Sequence, residues 1–521
     1  MKYMWVLPTV LLCVFVVAGG CREGEAPVAK STVAIKKTGR QGTPASAFEK
    51  FLADINSTEK QWYGVYMQGH KIGYANMELF DRRRSVPPAV ESSMTMLVEV
   101  KAEDKVIRMR MTSRELFDVD PPYRLRSFVE ETMQQDEIER IEITRILNGT
   151  NYSARITQGG STRIRKFSAD YTIFKSELLL DLWFQSSRAV GDEVEYPSLD
   201  TSSFRITTDK ARIKAKKTGM FNGVQTTYYV VDMTVGDGDI HAEVLLLSDG
   251  TVIKATVGGF FELRLEPEKI AKTIDASRDL FVDNLVPAEG KIGDPTEIKR
   301  MVIDVDSQLG EALGNAPGQR VVAQPASKTY RVTVTTDNST DVRVTENEKE
   351  RALKATLEFP ADVLKVIDLA KKAVGNAKSQ REKVNRLVHF VDKYIVDSYS
   401  AEPLTVMDTV KRRKGDCSEH SALFTTLARA LGIPTRTVGG LIYGDDDELG
   451  TPLFGMHAWN EVALDGFWVP VDSTWNETTI NATHIRFPIK INKEMQVVSS
   501  LPKARIKVVE VNAANKKAKK E

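Results

Sequence analysis

Gly415-Asp416-Cys417-Ser418-Glu419-His420 sets a cysteine directly behind a helix-capping aspartate and ahead of an apolar run at helical spacing. An aspartate with a glutamate three residues later is the pattern of a capping box, so Cys417 falls on the first helical position. Leu423, Leu427, Ala430 and Leu431 form one packing stripe, Gly432 stops the helix, and Pro434 forbids its continuation. A short helix buried along one side is predicted. Its N-terminus supplies free N–H groups and a partial positive charge, which favour a thiolate and can also receive an oxyanion.

Downstream, Thr435 to Tyr443 reads as a strand and Met456 to Leu464 as a second, with the acidic Asp445-Asp446-Asp447-Glu448 in the loop between them. That acidic run lacks the ligand spacing of a calcium loop and reads as solvated. Asp465-Gly466 is a two-residue hairpin turn into Phe467 to Val471. With Leu464 opposite Phe467, His457 and Asp472 become diagonal neighbours on one sheet face, about 7–8 Å apart at the backbone. A slip of one residue would put them on opposite faces. Cys417, His457 and Asp472 then offer a nucleophile, a general base and an orienting carboxylate for thiol acyl transfer.

The neighbouring candidates read as structural. His420 would have to reach along its own helix to act as the base, and Trp459 suits a core or groove wall. Lys411-Arg412-Arg413-Lys414 reads as a solvated loop, while His70, His241, His389 and His484 show no partner in the sequence.

Four segments, Gly415 to His420, Ala430 to Arg436, His457 to Val462 and Trp468 to Thr474, together resemble the transglutaminase-like superfamily of papain-fold thiol enzymes. The resemblance covers residues 379–476 and implies that Cys417 is the nucleophile, His457 the general base and acid, and Asp472 the orienting carboxylate. The superfamily includes protein cross-linkers, peptidases, amidases and members without activity, so the resemblance informs chemistry more than substrate. A protein or peptide substrate and no cofactor or metal are expected. Animal cross-linking members carry an upstream oxyanion tryptophan, whereas this chain has no tryptophan between Trp183 and Trp459; Tyr394, Tyr399 or a polar side chain would have to substitute.

Cys417 is also the one thiol of three expected to survive maturation. Lys2, the apolar run Met4 to Gly20, and Val17-Ala18-Gly19-Gly20-Cys21 read as a bacterial lipoprotein signal. Cys21 would then be lipidated as the new N-terminus and Cys13 discarded. The run falls short of the roughly 20 residues that span a bilayer. The expected location is the bacterial cell envelope, lipid-anchored and facing the periplasm or exterior, where an unpaired thiol is unusual. Lys plus Arg number 72 against 71 Asp plus Glu, so no basic surplus points to nucleic acid.

At 521 residues the chain should hold two or more domains. Residues 1–20 form the signal, 21–45 a flexible tether, 46–275 a β-rich domain, 285–510 a transglutaminase-like domain with its catalytic core at 379–476, and 511–521 a disordered tail. The β-rich part alternates through Arg108-Met109-Arg110-Met111 and Ile141-Glu142-Ile143-Thr144. Turn pairs follow at Asn148-Gly149, Gly159-Gly160, Asn222-Gly223, Gly236-Asp237-Gly238 and Ser248-Asp249-Gly250. This predicts an antiparallel meander curling into a half-barrel, with one helix over Thr172 to Gln185. The second domain should add strands at Lys299 to Asp304 and Thr329 to Thr335 and helices at Pro360 to Val374 and Ser379 to Ile395. The fold class is α+β: an N-terminal antiparallel β-rich domain followed by a papain-like transglutaminase-type domain. The expected function is an envelope lipoprotein that hydrolyses or transfers amide or peptide acyl groups through a Cys417 thioester, with hydrolysis favoured because no amine site is visible. The alternative is a non-catalytic binding or assembly lipoprotein that retains the fold.

Overall fold

The computed structural model describes residues 60–513 apart from short interior segments, the longest being 173–179, 236–239, 275–284, 338–341, 399–404, 447–450 and 489–496. The expected signal, the expected tether and Cys21 therefore lie outside the described residues. Two compact units result, the first ending at Asp279 and the second running from Leu280.

The first unit is one 14-stranded antiparallel sheet made almost wholly of consecutive hairpins. Alternation explains its strands. Along Lys105–Asp118, Met109, Met111, Ser113, Glu115 and Phe117 are buried, while Arg108, Arg110 and Arg114 face outward. The register sets Met96 against Met111 and Val98 against Met109 on the apolar face, and Glu99 against Arg108 on the wet face, where they form an ion pair at 2.6 Å. The first strand, Gln61–Met67, pairs with the fourteenth, Phe261–Leu265, so the sheet's two edges, Ser161–Ser168 and Glu193–Asp200, belong to the middle of the sequence. So many right-twisted strands cannot stay flat, and the sheet curls as a half-barrel. The helix expected over 172–185 falls mostly outside the described residues; Leu180, Trp183 and Phe184 are helical and buried, and Phe184 meets the Tyr229 ring edge-on at 5.2 Å.

The second unit carries a nine-stranded sheet in the order Gln319–Gln324, Thr329–Thr335, Ile298–Asp306, Ile506–Ala513, Val286–Glu289, Thr451–Leu464, Thr435–Asp446, Ile485–Arg486, with Phe467–Val471 also paired to Thr451–Leu464. Four helices, Leu364–Val374, Gln380–Tyr394, Val406–Arg412 and Cys417–Ala430, pack on Val462, Leu464, Val469 and Val471. The stripe Val384, Leu387, Val388 and Val391 is buried as its spacing requires, and Ser379 caps that helix by accepting the Glu382 N–H.

Two expected boundaries move. The first helix starts at Leu364, not Pro360, because Pro360 to Val363 form a turn closed by the Val363 N–H on the Pro360 carbonyl. The tail starts later than residue 511: Val511, Asn512 and Ala513 pair with Met301, Arg300 and Ile298, and Val511 packs on the core, so this edge stays in the sheet. Among the described residues no helix is long and apolar enough to cross a membrane.

Candidate active site

The helix Cys417–Ala430 begins with both halves of the capping box in place. Asp416 Oδ1 accepts the Ser418 N–H at 2.8 Å, and Glu419 Oε2 accepts the Asp416 N–H at 2.8 Å. Glu419 must fold back against residue 415 to do so. A Cβ there would lie 2.4 Å from the Glu419 Cβ, which explains the glycine. Cys417 is thus delivered, half-buried and free, at the helix N-terminus.

His457 arrives on the strand Thr451–Leu464. The hairpin register runs from Leu464 opposite Phe467 to Asn460 opposite Val471, the pairing implied by the Asp465-Gly466 turn, both of whose residues have positive φ. The ladder ends at Val471. Asp472 then exchanges backbone hydrogen bonds with Glu477, and the Thr474 N–H donates to its Oδ1 at 2.8 Å. The other carboxylate oxygen, Oδ2, meets His457 Nε2 at 2.8 Å, with Asp472 fully buried and His457 nearly so. Cys417 neighbours His457 closely enough to help stabilise its charged form, and Nδ1 is the ring nitrogen that Asp472 leaves over. The three residues that the sequence singles out therefore form one chain of neighbouring groups.

Their electrostatics follow from burial against pairing. Burial disfavours a charged His457, but the charge and hydrogen bond of Asp472, helped by Cys417, prevail and raise it to about 10. Burial likewise opposes an ionised Asp472, yet His457 and then His484 hold its carboxyl well below the usual range.

Around this chain are residues whose roles the sequence does not reveal. Asn460 Nδ2 donates to the Ser421 carbonyl at 2.9 Å and to Thr425 Oγ1 at 2.8 Å, tying the histidine strand to the cysteine helix. Glu461, fully buried, is held ionised against its burial by Arg486 and Arg436, each with a nitrogen 2.6 Å from it, and Arg436 stacks on Trp468 at 3.8 Å. Trp475, 42% exposed, stacks on the His457 ring at 4.8 Å and leaves a face to solvent beside the site. Trp459 is buried behind the same ring.

The remaining histidines and tyrosines also find places. His420 Nδ1 contacts the Asp416 carbonyl at 2.7 Å, a structural role. His389 and His484, without partners in the sequence, acquire them: His389 Nδ1 bonds Asn476 Oδ1, and His484 Nε2 lies 3.3 Å from Asp472 Oδ2. Those partners are more than ten residues away in the chain, so no local signal announces them. The Tyr394 hydroxyl donates to the Val410 carbonyl at 2.9 Å, and Tyr399 lies outside the described residues. His457, Asp472 and His484 present donor atoms within 4.8 Å of one another, but the cluster is fully buried and one carboxylate oxygen already joins both rings, which marks a hydrogen-bonded set.

Residues 367–473 match the family model described as the transglutaminase-like superfamily, and the chain therefore carries a transglutaminase-like domain. Kyphoscoliosis peptidase of Mus musculus is 33% identical over 88 residues, 16% of this chain and 13% of that protein, and its Homo sapiens counterpart is 32% identical over 88 residues. The chain thus spans only 13% of the length of the curated relatives it matches. Among solved structures, the periplasmic domain of TgpA from Pseudomonas aeruginosa is 14% identical over 65% of this chain and 87% of that one, with a TM-score of 0.23. A TGase is 19% identical over 46% of this chain and 67% of its own, with a TM-score of 0.16.

Proposed function

We propose that the second unit is a cysteine enzyme that cleaves or transfers amide acyl groups through a thioester on Cys417. One observation carries the reading: a half-buried thiol at a helix N-terminus, neighbouring an imidazole whose Nε2 rests on a buried carboxylate. In the reaction, His457 enters as the imidazolium that already carries the thiol's proton, the sulfur attacks the substrate carbonyl, and the helix N-terminal N–H groups receive the oxyanion. His457 returns the proton to the departing amine as the carbonyl reforms, leaving the acyl group on sulfur. Water, activated by the now neutral His457, releases the acid and regenerates the thiol. Asp472 keeps Nε2 protonated so that Nδ1 faces Cys417, and stabilises the imidazolium.

Hydrolysis is the favoured outcome, with peptide or protein amides as substrates. The exposed face of Trp475 beside His457 offers a flat apolar wall for a substrate side chain. The N-terminal lipobox-like sequence ending at Cys21 supports an envelope location with lipid anchorage.

Iodoacetamide tests the reading against a binding module that merely retains the fold. Alkylation of Cys417 should stay fast at mildly acidic pH and slow sharply in His457→Gln; the rate of an ordinary thiol in both proteins would refute the enzyme. A labelled primary amine then separates the outcomes. Its incorporation in place of free acid would overturn hydrolysis.

A further inference from the structure

The basic run Lys411-Arg412-Arg413-Lys414 lies just ahead of Cys417 with all four side chains exposed, yet it is more ordered than a solvated loop needs to be. Arg413 closes the helix Val406–Arg412 in the left-handed region, φ 55° and ψ 40°, with its N–H on the Thr409 carbonyl at 2.8 Å. Glycine is the residue such a position favours, because a side chain there crowds the backbone. An arginine stands here instead, its guanidinium over the Tyr394 ring at 4.7 Å. That ring is itself fixed, stacked on Phe390 at 5.2 Å with its hydroxyl on the Val410 carbonyl. The following backbone is pinned too. The Val396 N–H donates to the Arg413 carbonyl and the Ser398 N–H to the Gly415 carbonyl, both at 2.9 Å, so that Lys414-Gly415 pairs in parallel with Val396-Asp397.

We propose that this run is a substrate-binding site, in which Arg413, with Lys411 and Lys414 beside it, receives a carboxylate side chain of an extended acidic peptide whose reacting amide lies at Cys417. The proposal rests on the thiol acyl-transfer reading of the same site and names its substrate class. A guanidinium held over an aromatic face keeps its N–H edge available, and that edge matches a carboxylate with two parallel hydrogen bonds. Among the described residues, no acceptor meets the Arg413 guanidinium and no carboxylate pairs with Lys411 or Lys414. The acids close by in the chain are engaged elsewhere. Asp408 is buried and accepts from the Thr405 hydroxyl, Asp416 and Glu419 form the capping box, and Asp397 lies 3.7 Å from His420.

Reach sets where the carboxylate must be. Arg413 precedes Cys417 by four residues, which span at most about 14 Å when fully extended. A bound peptide strand advances about 3.3 Å per residue, so an acidic side chain within about four residues of the reacting amide meets the run. Lysine plus arginine balance aspartate plus glutamate across the chain at 72 against 71, so these four cations are a local concentration beside the nucleophile and not part of a basic surface. That placement favours a peptide carboxylate over a membrane phosphate.

The test uses fluorescent peptides in pairs, identical except for Glu or Gln at one of the four positions on either side of a central amide. Anisotropy with the full chain carrying Cys417→Ala, which cannot turn over, should show about fivefold tighter binding of the Glu peptide at one or more positions, fading at about 1 M salt. Adding Arg413→Asn, whose side chain tolerates the left-handed backbone, should abolish the preference, and Arg413→Lys should keep part of it. Equal binding of every pair, or a preference that survives both Arg413→Asn and Lys411→Gln with Lys414→Gln, overturns the proposal. Binding to phosphatidylglycerol vesicles that needs Arg413, without any peptide preference, would assign the run to a membrane surface and overturn it too. In the parent, kcat/KM on the same pairs should follow the binding ratio. Because binding is read without the thiol, a Glu preference beside a parent that never carries an acyl group on Cys417 would instead overturn the acyl-transfer reading and leave the acidic-peptide site standing.

Discussion

Gly440 is where the site is most sensitive to a single methyl group. It lies opposite His457 on one side and pairs with Arg486 on the other, and a Cβ at this position would sit 2.2 Å from Trp459 Cη2 and 2.3 Å from the Ile485 carbonyl oxygen. Ordinary contact needs more than a further ångström at each. Trp459 cannot yield, being 1% exposed and wedged between the rings of His457 and His484, and the second obstacle is backbone. Gly440→Ala must therefore open the pairing to Ile485–Arg486 and carry His484 away from Asp472. Overpacking of this kind costs about 1–3 kcal/mol, and misplacing the site by about 1 Å costs roughly 100-fold in rate. Thermal unfolding and the rate of Cys417 alkylation measure the two effects. Gly444→Ala, on the same strand with nothing within 4 Å of its Cβ, is the control and should match the parent. If Gly440→Ala also unfolds and reacts like the parent, the close packing that supports both histidines is not what orders this site.

Asp472→Asn should retain the fold and lower amide turnover about 10³–10⁴-fold, because an amide presents the wrong partner to Nε2; steady-state rates on a peptide amide check this. His457, raised to about 10, contributes stability that is fully present below about 6.5 and lost as pH climbs through 10. The stability difference between the parent and His457→Gln, measured by urea unfolding, should shrink across that interval, and a constant difference would contradict the pairing. In the β-rich unit, burial and then the neighbouring Glu130 push the Glu115 carboxyl up to about 7. Its burial is harmless below about 4.5 and increasingly unfavourable from there to 7. Glu115→Gln should therefore raise stability at pH 8 by up to roughly 3 kcal/mol and leave it unchanged at pH 4, as read by unfolding at the two pH values.

Local chemistry made much of this site legible. The Asp416 and Glu419 capping box, the Asp465-Gly466 turn and the two-residue period of Met456 to Leu464 each act within a few residues, and together they set the cysteine's helix position and the hairpin register. The alternation of Arg108 to Met111 likewise foretold one wet and one apolar sheet face. What stayed hidden depends on distant contacts. Nothing near His484 in the chain reveals that Asp472 waits across a loop, nor that Trp475 will lie on His457. Gly440 lies mid-strand without a positive φ, so the packed Trp459 and the Ile485 carbonyl, both far from any local signal, explain it. The pairing of the first strand with the fourteenth is equally non-local.

The account's central claim is that Cys417 carries the acyl group. p-Nitrophenyl acetate, mixed with the protein and quenched in acid, tests it in one step. The account predicts a burst of p-nitrophenol stoichiometric with protein, an acetyl group mapped by peptide mass to Cys417, and loss of both in Cys417→Ala. A protein that releases p-nitrophenol without a burst, or that carries the acetyl group on another residue, would contradict it.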